Sequence, residues 1–279
     1  MNVVFSSLIL ALFFIFPVSQ IKAEKINLGM VDKSPSKMSK RFTPFLEYLR
    51  KQGIDAGKVI TTKSFAQMSD KIKDGKVQFM FESPYGALEI MDKSGAIPIL
   101  IREKKGVKQY NSCIFVPKNS PIKALGDLRG KVIAFEEAES TSSFYLPRGI
   151  LQKENLELVE SRKPIAGKVA YYFTKDDSNT IAQVKKGKKA QAGGIKVSKV
   201  KDDKNFRILP PESPMVPRHV VLVAKTLDTS KLMSVLLSMK NSKEGKKVLT
   251  AIKTPTGFSK FDDDPFIAMN KTVRSALGK

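Results

Sequence analysis

Short apolar runs that read as strands alternate with segments whose apolar residues fall at helical spacing, and the alternation recurs from Lys25 to about Ile252. Strands separated by helices of this length build βαβ units, so the chain is expected to be an α/β protein with mainly parallel sheets. Lys25–Val31 sets Ile26, Leu28 and Met30 at period two, and residues 38–52 place Phe42, Phe45, Leu46 and Leu49 on one helical face, with Pro44 near the helix start. Val59–Thr62, a helix capped by Ser64, Val77–Phe81, a helix opened by Pro84 and Ile97–Ile101 complete a first round. A second round runs through Cys113–Pro117, a turn at Asp127–Gly130, Lys131–Phe135, a helix from about Ser140 to Glu154, Val169–Phe173, a helix over Ser178–Lys186 and Ala190–Ile195. One more apolar run, His219–Ala224, precedes a helical tail from Ser230. A chain of 279 residues has room for two lobes, and this order suggests that the second is inserted within the first.

Residues 3–18 are almost wholly apolar but too few to span a bilayer, and Ala23 supplies the small residue that signal peptidase requires. Residues 1–23 are read as a signal peptide, with an uncleaved anchor as the alternative, and the mature chain is expected in the periplasm. Lys and Arg total 49 against 27 acidic residues, for a net charge of +22, which invites a nucleic-acid reading. Export argues against nucleic acid as a partner, as does the scatter of the cations as pairs along the whole chain, with no basic arm, zinc finger or helix-turn-helix to collect them. One Cys and one His exclude an intramolecular disulfide framework and a Cys- or His-cluster metal site, so neither a metal nor another cofactor is expected.

The sharpest local signal is Phe135-Glu136-Glu137-Ala138-Glu139-Ser140-Thr141-Ser142-Ser143. A strand ends, a loop turns, and hydroxyl residues meet a helix start whose free N–H groups and positive dipole end suit an anion. Plain helix capping explains the same Ser and Thr residues equally well. The three glutamates would repel a dianion unless they face solvent or meet a ligand amine, and solvent is the direction expected for most of them.

The segment order extends this reading. The helix Phe42–Leu49, Gly75-Lys76-Val77-Gln78-Phe79-Met80 leading into Ser83-Pro84-Tyr85, Asp127-Leu128-Arg129-Gly130-Lys131, Ser140-Thr141-Ser142 with Pro147-Arg148, Glu244-Gly245 and Thr256-Gly257-Phe258 occur in a joint order. Across residues 25–262 that order resembles the phosphate/phosphite/phosphonate-type periplasmic substrate-binding proteins of ABC importers. The resemblance implies a two-lobe periplasmic-binding-protein type II fold that closes on its ligand. Lobe 1 would hold residues 24–112 and 225–279 and lobe 2 residues 113–224, with crossing hinge strands at Ser112–Val116 and His219–Ala224. It also implies that Ser140, Thr141 and Ser142 hold the oxyanion, with Ser83 and the Tyr85 phenol on the facing lobe. Phe65 stands where many phosphonate binders carry a Tyr, and Asp177 and Ser178 stand where a His-Asp pattern helps bind aminophosphonates. Arg218, beside the second crossing, could add a charge-assisted donor, while Arg148 has a structural role.

The function expected is capture of a small oxyanion (phosphonate, phosphite or phosphate) by a non-catalytic monomer that docks on an ABC permease. A ligand-sensing subunit for a periplasmic sensor domain is the alternative. Cys113 and His219 fall at the two expected crossings, which leaves a Cys–His enzyme as a third and weaker reading.

Overall fold

The computed structural model describes residues 25–279, so the expected signal peptide lies outside the described residues. In chain order the first strands and helices are β1 (Ile26–Val31), α1 (Pro35–Lys51), β2 (Ala56–Thr62), α2 (Phe65–Lys73), β3 (Phe79–Glu82), α3 (Pro84–Ser94) and β4 (Ile97–Arg102). α1 starts at Pro35, so Pro44 lies inside the helix and not near its start. Beside it the Thr43 hydroxyl donates to the Ser39 carbonyl at 2.8 Å. Ser64 caps α2, its hydroxyl accepting the Gln67 amide hydrogen at 3.3 Å.

The two-residue β5 (Gln109–Tyr110) leads to β6 (Ser112–Pro117), β7 (Val132–Phe135), a π-helical turn at Thr141–Tyr145 that continues into α4 (Leu146–Lys153), β8 (Leu158–Glu160), β9 (Val169–Phe173), α5 (Asp177–Lys186), β10 (Ala192–Lys196) and β11 (Phe206–Leu209). The chain returns through β12 (Val216–Pro217) to β13 (Val220–Val223), α6 (Ser230–Ser238), α7 (Lys243–Ala251) and β14 (Phe258–Ser259). A last helical run joins α8 (Pro265–Ile267), a π-helical turn at Ala268–Val273 and α9 (Arg274–Leu277). No described helix is long and apolar enough to cross a membrane.

Two six-stranded sheets form the lobes, ordered β14-β4-β13-β3-β1-β2 and β11-β6-β10-β7-β9-β8. Both are mixed: two of the first sheet's five strand pairings are parallel, and three of the second's. β13 inserts antiparallel between β3 and β4, and β6 pairs antiparallel with β10 and β11. The crossing segments also differ from those expected. Ser112–Val116 is an inner strand of the second sheet and Val220–Val223 an inner strand of the first, whereas the antiparallel pair β5–β12 links the lobes, with Tyr110 opposite Val216. The apolar runs mark buried central strands. The crossings proper are two residues long, too short to show a period. The return to the first sheet is complete by Val220, ahead of the expected boundary at 225.

One core of the first lobe stacks Phe42, Phe45, Phe79, Phe81 and Phe258, with neighbouring ring centroids 5.7–6.5 Å apart. A second apolar cluster crosses between the lobes. It joins Ala87, Leu88 and Met91 of α3 to Leu146 of α4 through Met269, Val273, Ala276 and Leu277 of the C-terminal run. Arg274 pairs with Asp92, and Lys279 with Glu89, on α3. On the other side α9 lies so close to α4 that a Cβ on Gly149 would press into the Ala276 carbonyl oxygen. Gly149→Ala is therefore expected to cost about 1–3 kcal/mol. Gly126→Ala, where a Cβ would meet nothing within 4 Å, should stay within about 0.5 kcal/mol of wild type. Thermal melting of both variants checks the pair.

Candidate functional site

The β7 strand delivers the chain to the inter-lobe cleft, and the hydroxyl-rich loop after it is ordered by its own side chains. Ser140 accepts the Ser143 amide hydrogen at 3.1 Å and donates to Glu136 Oε2 at 2.8 Å. Ser143 donates to the Gly194 carbonyl at 2.6 Å and accepts from the Glu136 amide at 2.9 Å, tying the loop to β10. The first helical bonds run from the amides of Phe144 and Tyr145 to the Ser140 carbonyl, so the amides of Thr141 and Ser142 lie ahead of the helix's own ladder.

The cleft between the lobes encloses about 270 Å³ and is predominantly polar. Ser140, Thr141 and Ser142 form its second-lobe wall, and Phe65 and Ser83 face them from the first lobe. Arg218, placed by the return crossing, lines the cleft with its guanidinium 5.4 Å from the Tyr110 ring centroid.

Other expected residues lie elsewhere. Tyr85 does not line the cleft: its ring stacks on Tyr145 at a centroid separation of 3.5 Å, and its phenol is turned toward Tyr145 and Glu89. What Tyr85 contributes to the lobe contact is its backbone amide, which donates to Thr141 Oγ1 at 3.1 Å. Ser178 is exposed on α5, and Asp177 stands behind the wall, its Oδ2 3.9 Å from Lys196 Nζ and 3.7 Å from Lys199 Nζ. Of the glutamates expected to face solvent, Glu137 and Glu139 are exposed yet line the cleft, and Glu136 is half-buried against Ser140.

Cys113 and His219 do not form a nucleophilic pair. Cys113 is 0% exposed in the apolar core of the second lobe, where burial pushes its thiol up to about 12. His219 lines the cleft, with Nε2 3.1 Å from Lys104 Nζ and with a buried Nδ1 that has no partner. No group of three or more His, Cys, Asp or Glu among the described residues is placed to hold a metal ion.

Four further polar cleft residues went unmarked in the sequence: Glu82, Lys104, Tyr110 and Lys196. Burial, then Arg218 and Arg102, holds the Lys104 ammonium down to about 7. Burial and the same Arg218 lower Lys196, whose Nζ donates to Ser142 Oγ at 3.3 Å. His219 is held well below its usual range by burial and then by Lys104 and Arg218, which keeps the ring neutral. Burial raises the carboxyls of Glu82 and Glu136 above their ordinary value. Lys104 and Arg218 form no ion pair among the described residues, although Glu82, Glu136, Glu137 and Glu139 line the same cleft.

Two α/β lobes joined by a pair of short crossing strands, with the polar residues of both turned into the cleft between them, define a bilobed solute-binding protein. The family model for the periplasmic substrate-binding protein of ABC phosphonate transporters matches residues 30–266, and the chain belongs to that family. Among solved structures, XAC2383 from Xanthomonas citri bound to ATP is similar at 25% identity and a TM-score of 0.76, over 90% of this chain and 96% of that one. The same protein bound to chloride gives a TM-score of 0.77 at the same identity and coverage. PhnD1 from Prochlorococcus marinus in complex with methylphosphonate matches at 20% identity and a TM-score of 0.61, over 90% of this chain and 96% of that one, a likeness of fold.

Proposed function

We propose that this protein captures a small oxyanion of the phosphonate, phosphite or phosphate class in the periplasm and presents it, without chemical change, to an ABC permease. The observation that carries the reading is the meeting of Lys104, Lys196 and Arg218 with the open amides of Thr141 and Ser142 on one cleft. A tetrahedral oxyanion offers acceptors to both lobes at once, and that differential contact favours the closed form. XAC2383 is bound to ATP in one structure and to chloride in another, which supports an anionic ligand here. A thermal-shift screen against phosphate, phosphite, methylphosphonate, aminoethylphosphonate and sulfate tests the reading, since a ligand of the native state raises the melting temperature by mass action. At least one oxyanion should give a saturable rise; no rise with any of them would overturn the proposal.

The cleft electrostatics add a pH signature. An oxyanion beside Lys104 favours its ammonium over the neutral amine, so binding above about pH 7 takes up a proton. Affinity is full below that pH and falls as pH rises, by up to about tenfold per unit for one proton. Phosphonates titrate in the same range, so the readout is the difference in slope between wild type and Lys104→Met. Calorimetry from pH 6 to 9 should show the wild type losing more affinity with rising pH than the variant does; equal slopes would exclude Lys104 as the linked group.

A further inference from the structure

Behind the cleft the first lobe holds a second chamber of about 140 Å³. The two adjoin, because Glu82, Lys104 and His219 belong to both walls. Arg102 lines the inner chamber at 3% exposure, its Nε donating to Thr254 Oγ1 at 2.8 Å and its guanidinium lying 5.5 and 4.9 Å from the Phe42 and Phe81 ring centroids. Those contacts fix the guanidinium but bring no negative charge, and among the described residues Arg102 has no ion-pair partner. Arg41 and Lys253 add cations to the same walls. Two acids share these walls with the four cations Arg41, Arg102, Lys104 and Lys253: Asp32, which accepts the Ser34 amide hydrogen at 2.7 Å, and Glu82, which accepts that of Ser83 at 2.6 Å. Burial, then Arg218 and Arg41, holds the Arg102 guanidinium down to about 9. His219, 7% exposed at the junction, leaves Nδ1 without a partner. At roughly 30 Å³ per water, the chamber has room for one small acidic group.

On the strength of the oxyanion reading above, we propose that the ligand is a bifunctional organic acid. One oxyanion sits at Thr141 and Ser142, and a second acidic group on a short linker passes the Lys104–His219 pair to meet Arg41 and Arg102. A single phosphate would occupy the outer cleft and leave the inner cations in excess over Asp32 and Glu82. The inner chamber thus selects among phosphonates by what they carry beyond phosphorus.

Calorimetric titration of wild type, Arg41→Ala and Arg41→Gln with methylphosphonate, phosphonoacetate and 3-phosphonopropionate tests this. Arg41 is half-buried and has no hydrogen-bond or ion-pair partner among the described residues, so its replacement should spare the fold, which melting of the unliganded variants checks. One phosphonocarboxylate should bind at least about tenfold more tightly than methylphosphonate, and both Arg41 variants should cut that advantage to about threefold or less while leaving methylphosphonate binding unchanged. Phosphonocarboxylates no tighter than methylphosphonate, or an advantage that survives both variants, would overturn the bifunctional ligand while leaving the oxyanion site standing. Failure of all three compounds to bind wild type, together with no melting-temperature rise from phosphate, phosphite, aminoethylphosphonate or sulfate, would instead remove the oxyanion reading on which the inference rests.

Discussion

Arg218→Ala is expected to weaken oxyanion binding by about 10- to 100-fold, with little change in the melting temperature of the unliganded protein. The guanidinium lines the cleft and lies over Tyr110 but forms no ion pair among the described residues, so its charge-assisted hydrogen bonds await the ligand. Such bonds contribute about 1.5–3 kcal/mol each, which sets the range. The backbone amide that donates to the Lys108 carbonyl at 2.7 Å survives the substitution, so the return crossing keeps its path. Removing the cation also relieves Lys104, Lys196 and His219, each of which Arg218 pushes toward its neutral form. The variant should therefore bind weakly yet hold its Lys104 proton to higher pH. Calorimetry with whichever oxyanion stabilises the wild type measures the loss, and a change below about twofold would place Arg218 outside the site.

The largest effect on stability should come from ending the chain after Ile267. The C-terminal run is anchored to α3 through Arg274–Asp92 and Lys279–Glu89 and buries Met269, Val273, Ala276 and Leu277 between the lobes. Both ion pairs are partly exposed and contribute little. The apolar side chains carry the effect, at about 1.5–3 kcal/mol for each of the three larger ones, an upper estimate because the unfolded chain already buries some of that surface. For a protein of this size about 1 kcal/mol corresponds to roughly 2–4 °C, so the truncated chain should melt at least about 10 °C lower. Because the lost residues tie α3 to α4, ligand affinity should fall as well. A truncated protein that melts within about 3 °C of wild type would show that the run does not clasp the lobes.

The parts of this molecule that the sequence announced are those governed by a period. Val169–Phe173 is a strand over the expected residues, and Ser64 caps the expected helix, because buried strands and helix starts carry local chemistry. The hinge left no such trace: Gln109–Tyr110 and Val216–Pro217 are too short to alternate, and the neighbouring runs of central strand drew the expected crossings toward themselves. The cleft divides in the same way. The loop at Ser140–Ser143 is contiguous and stands out, whereas Lys104 and Lys196 are two of 49 Lys and Arg residues and become distinctive only when the fold buries them beside Arg218. Tyr85 shows the opposite failure. It stands at the expected position, but an aromatic partner from the second lobe, Tyr145, holds its ring out of the cleft, a pairing between distant segments that no local pattern shows.

The proposed trap holds one oxyanion between Thr141–Ser142 and the Lys104–Arg218 cations of the two lobes. Calorimetric titration with phosphate, phosphite and methylphosphonate, run beside a Lys104→Met/Arg218→Ala double variant, tests it. One saturable site with a dissociation constant of about 10 μM or below for at least one of the three, weakened at least about 100-fold in the variant, is the predicted result. Heats that never saturate with any of the three, or a ligand that binds the variant as tightly as the wild type, would contradict it.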